Sequence, residues 1–150
     1  MKILVDADSC PASVRTVICR ASVRTKTLAI FAANRNIGGL DTQWTVMELC
    51  PQGEGKADDR IVDLAEKGDL AITRDVPLAS RLVDLQVDVL DDRGRIFTAD
   101  NIRTMLSLRN FNVDLANNGE DFVRTANYTQ KDLKKFSDSF NKLLTQGLRR

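Results

Sequence analysis

Two short apolar runs in this chain each break off at aspartate and then give way to helix-forming sequence. Ile3-Leu4-Val5 runs straight into Asp6 and Asp8, and Leu70-Ala71-Ile72 passes through Thr73 and Arg74 into Asp75. Continuous apolar runs of this length read as strands buried on both faces, the pattern of a parallel sheet covered by helices. In open α/β sheets, ligands sit outside the carboxyl ends of such strands. Three carboxylates are therefore expected at one sheet edge. They repel one another unless a cation lies between them, and hard-oxygen donors suit Mg²⁺ or Mn²⁺.

The rest of the chain extends this alternation. Strands are expected at residues 2–6, 26–32, 44–49, 69–73 and 87–90. Pro11 suits the first turn of a helix bearing Val14, Val17, Ile18 and Ala21 at helical spacing. Residues 57–67 read as a helix stopped by Gly68, and 77–85 and 98–108 as further helices. Residues 34–41, with Gly38-Gly39, and 51–55 read as loops, Asp92-Arg93-Gly94-Arg95 as a turn, and Asn117-Asn118-Gly119 as a turn in an irregular stretch. Thr129 with Asp132 forms a capping box before Leu133, Phe136, Phe140, Leu143 and Leu144. The expected fold is a three-layer α/β/α sandwich with a central, mainly parallel five-stranded sheet. With 150 residues, 43% of them hydrophobic, and no long linker, residues 1–150 read as a single domain.

Composition removes several chemistries. The chain has no histidine, which excludes a Ser-His-Asp triad, a Cys-His pair and His-ligated zinc. Cys10, Cys19 and Cys50 are odd in number and lack CxxC spacing, so a reducing cytoplasm is expected rather than a disulfide scaffold. Met1-Lys2 leads directly into a strand, and no apolar run reaches transmembrane length, so neither a signal peptide nor a membrane partner is expected. Net charge is +1, but basic residues outnumber acids beyond residue 100. An acidic centre beside a basic surface suits a phosphate-bearing polymer, and a solvated basic helix gives the same pattern.

Among the acids, Asp6 ends the first strand and Asp8 lies two residues on. Asp58 leans towards the apolar stripe of its helix, whereas Asp59 aligns with the solvated Asp63 and Glu66. Capping of a following helix competes with ligation for Asp8 and Asp75. Asp91 and Asp92 read as turn residues before ligands. Ser9 and Thr73 offer short hydroxyls near the same edge, and Arg74 and Arg93 offer planar forks for phosphate, with ion pairing to nearby acids as the alternative. Cys10 reads as a buried structural thiol rather than a nucleophile.

Val5-Asp6-Ala7-Asp8-Ser9-Cys10-Pro11, Ala57-Asp58-Asp59-Arg60-Ile61-Val62 and the run from Gly68 to Ala79 resemble the YaiI/YqxD family of uncharacterised bacterial proteins, as does Asp92-Arg93-Gly94. The resemblance spans nearly the whole chain. That family is regarded as related to PIN-like domains, α/β/α metal-dependent nucleases in which carboxylates hold one or two divalent ions and histidine is not required. The resemblance puts the family's Asp-x-Asp on Asp6 and Asp8, its helix acid on Asp58, and its Thr-x-Asp on Thr73 and Asp75. It implies that Asp6, Asp8, Asp58 and Asp75 are catalytic metal ligands for Mg²⁺ or Mn²⁺, and that the reaction is phosphodiester hydrolysis, with RNA as the expected polymer. Thr125-Ala126-Asn127-Tyr128 departs from the Gly-Gly-Pro-like stretch expected before the last helix.

Two rival readings exist. A non-catalytic nucleic-acid or regulatory binding module would keep the fold. A haloacid dehalogenase-type phosphohydrolase is resembled by Asp6-Ala7-Asp8 and Thr73. That chemistry wants a lysine before its last acids, and between Asp75 and Asp92 the chain offers Arg81 and no lysine.

Overall fold

The computed structural model describes residues 1–108 and 127–150. Ile3–Asp6 (β1) is followed by Ala12–Thr25 (α1), Ala29–Ala33 (β2) and Thr45–Leu49 (β3). Lys56–Leu64 (α2), Leu70–Ile72 (β4), Val76–Asp84 (α3), Asp88–Leu90 (β5) and Ile96–Phe97 (β6) come next. A helix over residues 102–108 (α4) precedes the undescribed stretch, and Gln130–Leu148 (α5) ends the chain. The strands form one sheet in the order β3-β2-β1-β4-β5-β6, with every pair parallel except β5–β6.

The sheet has six strands where the sequence predicts five. The turn at residues 91–95 is a hairpin tip, and the chain returns beside β5 for two residues, too short an apolar run to stand out alone. The helix expected over 57–67 begins at Lys56 and ends at Leu64. Ala65 is already extended at ψ 138°, and Gly68, at φ +90°, serves the turn into β4 rather than the helix stop. The expected turn at Asn117-Asn118-Gly119 lies outside the described residues, as do Thr125 and Ala126.

Strand alternation sorts the core into two layers. Ile3 and Val5 pack on one face with Val14, Ile18, Phe136, Phe140 and Leu144 from α1 and α5. Leu4, Ala71 and Val89 pack on the other with Ile61, Leu78, Leu82 and Ile102 from α2, α3 and α4. This is the expected α/β/α sandwich. Period two also turns Asp6, like Leu4, towards the α2–α3 side.

Local chemistry sets the helix ends. Asp75 Oδ1 accepts from the Leu78 backbone N–H at 3.0 Å to cap α3. The Thr129–Asp132 capping box starts α5 as the sequence predicts. No helix among the described residues is long and apolar enough to cross a membrane.

α5 is fastened to the hairpin at its start. Gly94 adopts φ +85°, and a Cβ there would overlap the Lys135 carbonyl. Ser139 Oγ donates to Gly94 O at 2.7 Å, and Tyr128 Oη donates to Asp92 O at 2.6 Å. Gly94→Ala therefore meets both a left-handed backbone and a clash. It is expected to lower stability in urea unfolding by about 2 kcal/mol or more, with no loss of secondary structure in the folded state.

Candidate functional site

Asp6 ends β1 at the carboxyl edge of the sheet, beside β4. There it lines a cleft of about 380 Å³ together with Asp8, Ser9, Asn34, Asp58, Arg74 and Asp75. The four predicted carboxylates therefore come together. β1 supplies Asp6, and the turn after it supplies Asp8. The first turn of α2 brings Asp58, and the cap of α3 brings Asp75.

Each acid is held differently. Thr73 Oγ donates to Asp6 Oδ2 at 2.9 Å and itself accepts from the Asp75 N–H at 3.0 Å, joining the β1 and β4 ends. Asp8 Oδ2 accepts from the Asn34 N–H at 2.8 Å, and Arg35 Nε lies 3.6 Å from Asp8 Oδ1. Asp58 is half-buried and Asp59 exposed, as the helical register predicts, and Asp59 pairs with Arg81 at 3.0 Å.

Like charge dominates the electrostatics around Asp6. Burial pushes the Asp6 carboxyl from 3.8 up to about 6, and the charges of Asp58, Asp75 and Asp8 push the same way. Among the leading influences only the Thr73 hydroxyl favours the charged form. Asp58 is also raised, first by burial and then by Asp75, with which it shares a hydrogen bond that favours the protonated form.

The remaining predicted residues separate. Ser9 and Arg74 line the cleft. Arg74 donates from Nε and Nη2 to the buried Asp92 Oδ2, which is the ion pairing offered as the alternative to a phosphate fork. Arg93 is not brought to the cleft: it lies in a separate groove with Arg95 and Lys135, 3.6 Å from Asp132. Asp91 Oδ1 accepts from the Arg93 and Arg95 N–H groups at 2.9 Å, a turn residue as read. Cys10 is buried, and desolvation pushes its thiol up to about 12, away from nucleophilic use.

Asn34 was not anticipated. It follows β2 directly, so the rule that placed Asp6 at the carboxyl edge would have found it. Its Oδ1 is buried and has no hydrogen-bond donor among the described residues.

The donor set is entirely oxygen: carboxylates, hydroxyls and an amide. Among the described residues no three His, Cys, Asp or Glu side chains are grouped as a metal-binding set. An open rim of carboxylates fits Mg²⁺, which keeps several waters and takes one or two carboxylates rather than an all-protein cage.

Residues 4–146 match the sequence pattern of the Uncharacterized BCR, YaiI/YqxD family. The chain is 45% identical to the UPF0178 protein of Treponema denticola over 99% of this chain and 95% of the relative. It is 37% identical to the UPF0178 protein of Marinobacter nauticus over the full length of both. The UPF0178 protein of Treponema pallidum is 39% identical over 99% of this chain and 84% of its own. No solved structure matches the chain.

The Asp6 environment has a measurable consequence. Unfolded, the group titrates near 3.8; folded, near 6. Between those values the folded state keeps a proton that the unfolded state has lost. This group's contribution to stability therefore falls as pH rises through that window. Asp6→Asn should raise the melting temperature at pH 7, by a stability gain on the order of 2 kcal/mol, and change little at pH 4. Thr73→Val should move the Asp6 carboxyl resonance, followed by NMR, to a titration midpoint above that of the wild type.

Proposed function

The chain belongs to the YaiI/YqxD family, and from that premise and the cleft around Asp6 we propose that it is a PIN-like, divalent-cation-dependent phosphodiesterase that hydrolyses RNA. One observation carries this reading: the part-buried Asp6 is surrounded by Asp8, Asp58 and Asp75, and the leading influences on it include no cation. Such a site gains most from a small divalent ion. Mg²⁺ or Mn²⁺ held there would supply Lewis acidity at the scissile phosphate.

The chain's own residues take the other roles. Asp6 and Asp75, with Asp8 and Asp58 beside them, would hold the ion. Thr73 fixes the Asp6 oxygens, because its hydroxyl hydrogen-bonds the carboxylate form. Asp58, whose carboxyl is raised by burial and by the Asp75 charge, would be held in its charged form by the ion. Arg74, whose Nε and Nη2 are taken by Asp92, presents Nη1 to a substrate phosphate. The free thiols suit a reducing cytoplasm.

The first experiment is calorimetric titration with Mn²⁺ and Mg²⁺ of the wild type and of Asp6→Asn/Asp75→Asn, followed by incubation with labelled RNA and DNA. Asparagine still caps α3, so the variant is expected to fold. Ion binding should vanish in the variant, and RNA cleavage should fall by roughly 100-fold or more. Wild-type affinity should weaken as pH drops below about 6, where Asp6 takes up a proton. A folded wild type that binds neither ion, alone or with RNA, would exclude the hydrolase and leave a binding module. Acyl phosphate on Asp6 would instead indicate a phosphohydrolase.

A second variant tests the positioning of Arg74. Asp92→Asn weakens its anchor without touching the four carboxylates. It should raise KM for RNA several-fold with a smaller change in kcat and unchanged Mn²⁺ affinity; a loss confined to kcat would contradict the role.

A further inference from the structure

The sheet separates two helical layers of different charge. α1 carries Arg15, Arg20 and Arg24 and no carboxylate. α5 carries Lys131, Lys134, Lys135 and Lys142 against Asp132 and Asp138. Both of those acids are committed. Asp132 accepts from the Thr129 backbone and hydroxyl, and Asp138 pairs with Lys134 at 3.1 Å. On the opposite layer α2 balances Lys56 and Arg60 with Asp58, Asp59 and Asp63, and α3 balances Arg81 with Asp84.

The basic layer exists only in the folded chain, because more than a hundred residues separate its two helices in sequence. α1 and α5 both start at the carboxyl edge, and they pack side by side. Arg24 Nη2 donates to Asn141 Oδ1 at 3.4 Å across the seam. Arg20 lies one turn before Arg24 on the same ridge, and Lys134 two turns before Asn141 on the facing one. Arg20, Lys131 and Lys142 are exposed and have no carboxylate partner among the described residues. α1 alone is 14 residues, about 21 Å of rigid surface. No aromatic side chain interrupts its exposed side, so the layer suits a phosphate backbone rather than stacked bases. Arginine side chains also continue over the sheet edge, Arg74 there in its pair with Asp92. Arg15 Nη1 donates to Cys10 O at 2.6 Å, and Arg74 lines both the acidic cleft and the small pocket beside Cys10 and Asp92.

We infer that the α1–α5 face is the track on which the RNA backbone lies as it passes over Arg15 and Arg74 into the acidic cleft. The direction of entry rests on reading that cleft as a phosphodiesterase site; the surface itself does not. The protein meets the RNA here through its phosphates, so binding is insensitive to sequence and falls steeply with salt.

The test is fluorescence anisotropy of labelled single-stranded RNA in EDTA, over a series of salt concentrations, on the full chain. EDTA makes binding independent of metal and turnover. Arg20→Glu/Lys142→Glu reverses charge on the track, and Lys67→Glu/Arg103→Glu makes the same net change elsewhere. Circular dichroism confirms that both fold, and Arg20→Ala/Lys142→Ala repeats the test if the reversal does not. The track variant should bind at least tenfold more weakly at low salt, with a log–log salt slope shallower by about 0.7 for each phosphate no longer neutralised. The control should stay within about twofold of the wild type. Equal losses in both variants, or no RNA binding by the wild type at low salt, would overturn the inference. So would track-dependent binding to phosphatidylserine vesicles with none to RNA, which would assign the face to a membrane surface. Track-dependent binding without cleavage in Mn²⁺ would sink the phosphodiesterase reading and keep the surface.

Discussion

Everything at the cleft depends on where β1 sits. It pairs with β2 on one side and β4 on the other, and Ile3, Leu4 and Val5 are essentially inaccessible to solvent. A strand buried on both faces and both edges leaves the chain little choice of register. After β1 the chain turns to the α1 side; after β4 it turns to the α3 side. The two connections diverge and open a crevice between neighbouring strand ends, the topological switch point of a doubly wound sheet. Thr73 spans that crevice to Asp6. The acids are gathered because two strand ends meet there, while α2 and α3 lean in from the same side.

Two aspartates at opposite ends of the β1–β4 pair show what separates a compensated buried carboxylate from an uncompensated one. Asp69 is the more deeply buried, yet it is fully satisfied. It accepts from the Lys2 N–H at 3.0 Å, the Lys2 ammonium at 2.6 Å and the Glu66 N–H at 2.9 Å, tying the start of β1 to the turn before β4. Asp6 receives one hydroxyl and faces three acids. Burial alone does not mark a site; burial without compensation does. Removing Asp69 would strand two backbone donors and leave the Lys2 ammonium only Glu66, whereas neutralising Asp6 relieves repulsion.

The sequence carried the layer architecture because it rests on local, periodic signals: apolar runs of strand length, Pro11 and Asp75 at helix starts, and the Thr129–Asp132 capping box. It also carried three of the cleft carboxylates through the carboxyl-edge rule, which needs only the strand ends, and the fourth, Asp58, through the apolar stripe of its helix. β6 was hidden because two residues make no pattern, and its pairing is supplied by β5 across the hairpin. The early end of α2 was hidden because Ala65, Glu66 and Lys67 are good helix formers; the demand that Asp69 reach Lys2 overrides that propensity. The Arg74–Asp92 and Tyr128–Asp92 links join residues 18 and 36 positions apart, which no local rule pairs.

Those links give the C-terminal helix a part in positioning the rim of the acidic cleft. Asp92 is buried and needs a cation, and Arg74 reaches it from the cleft rim with two donors on one oxygen. The Asp92 backbone is in turn fixed by Tyr128, directly before α5, while Gly94 lets the hairpin approach the α5 backbone closely. The position of Arg74 is therefore set by how α5 docks, although α5 contributes no side chain to the cleft lining. On the proposed phosphodiesterase reading, a cleft with four carboxylates repels an incoming phosphate until its charge is offset. An arginine locked in place can do this only if its partner cannot move, and the packing of α5 on the hairpin is what fixes that partner. The helix that carries much of the basic surface is thus also the one that holds the cleft arginine in position.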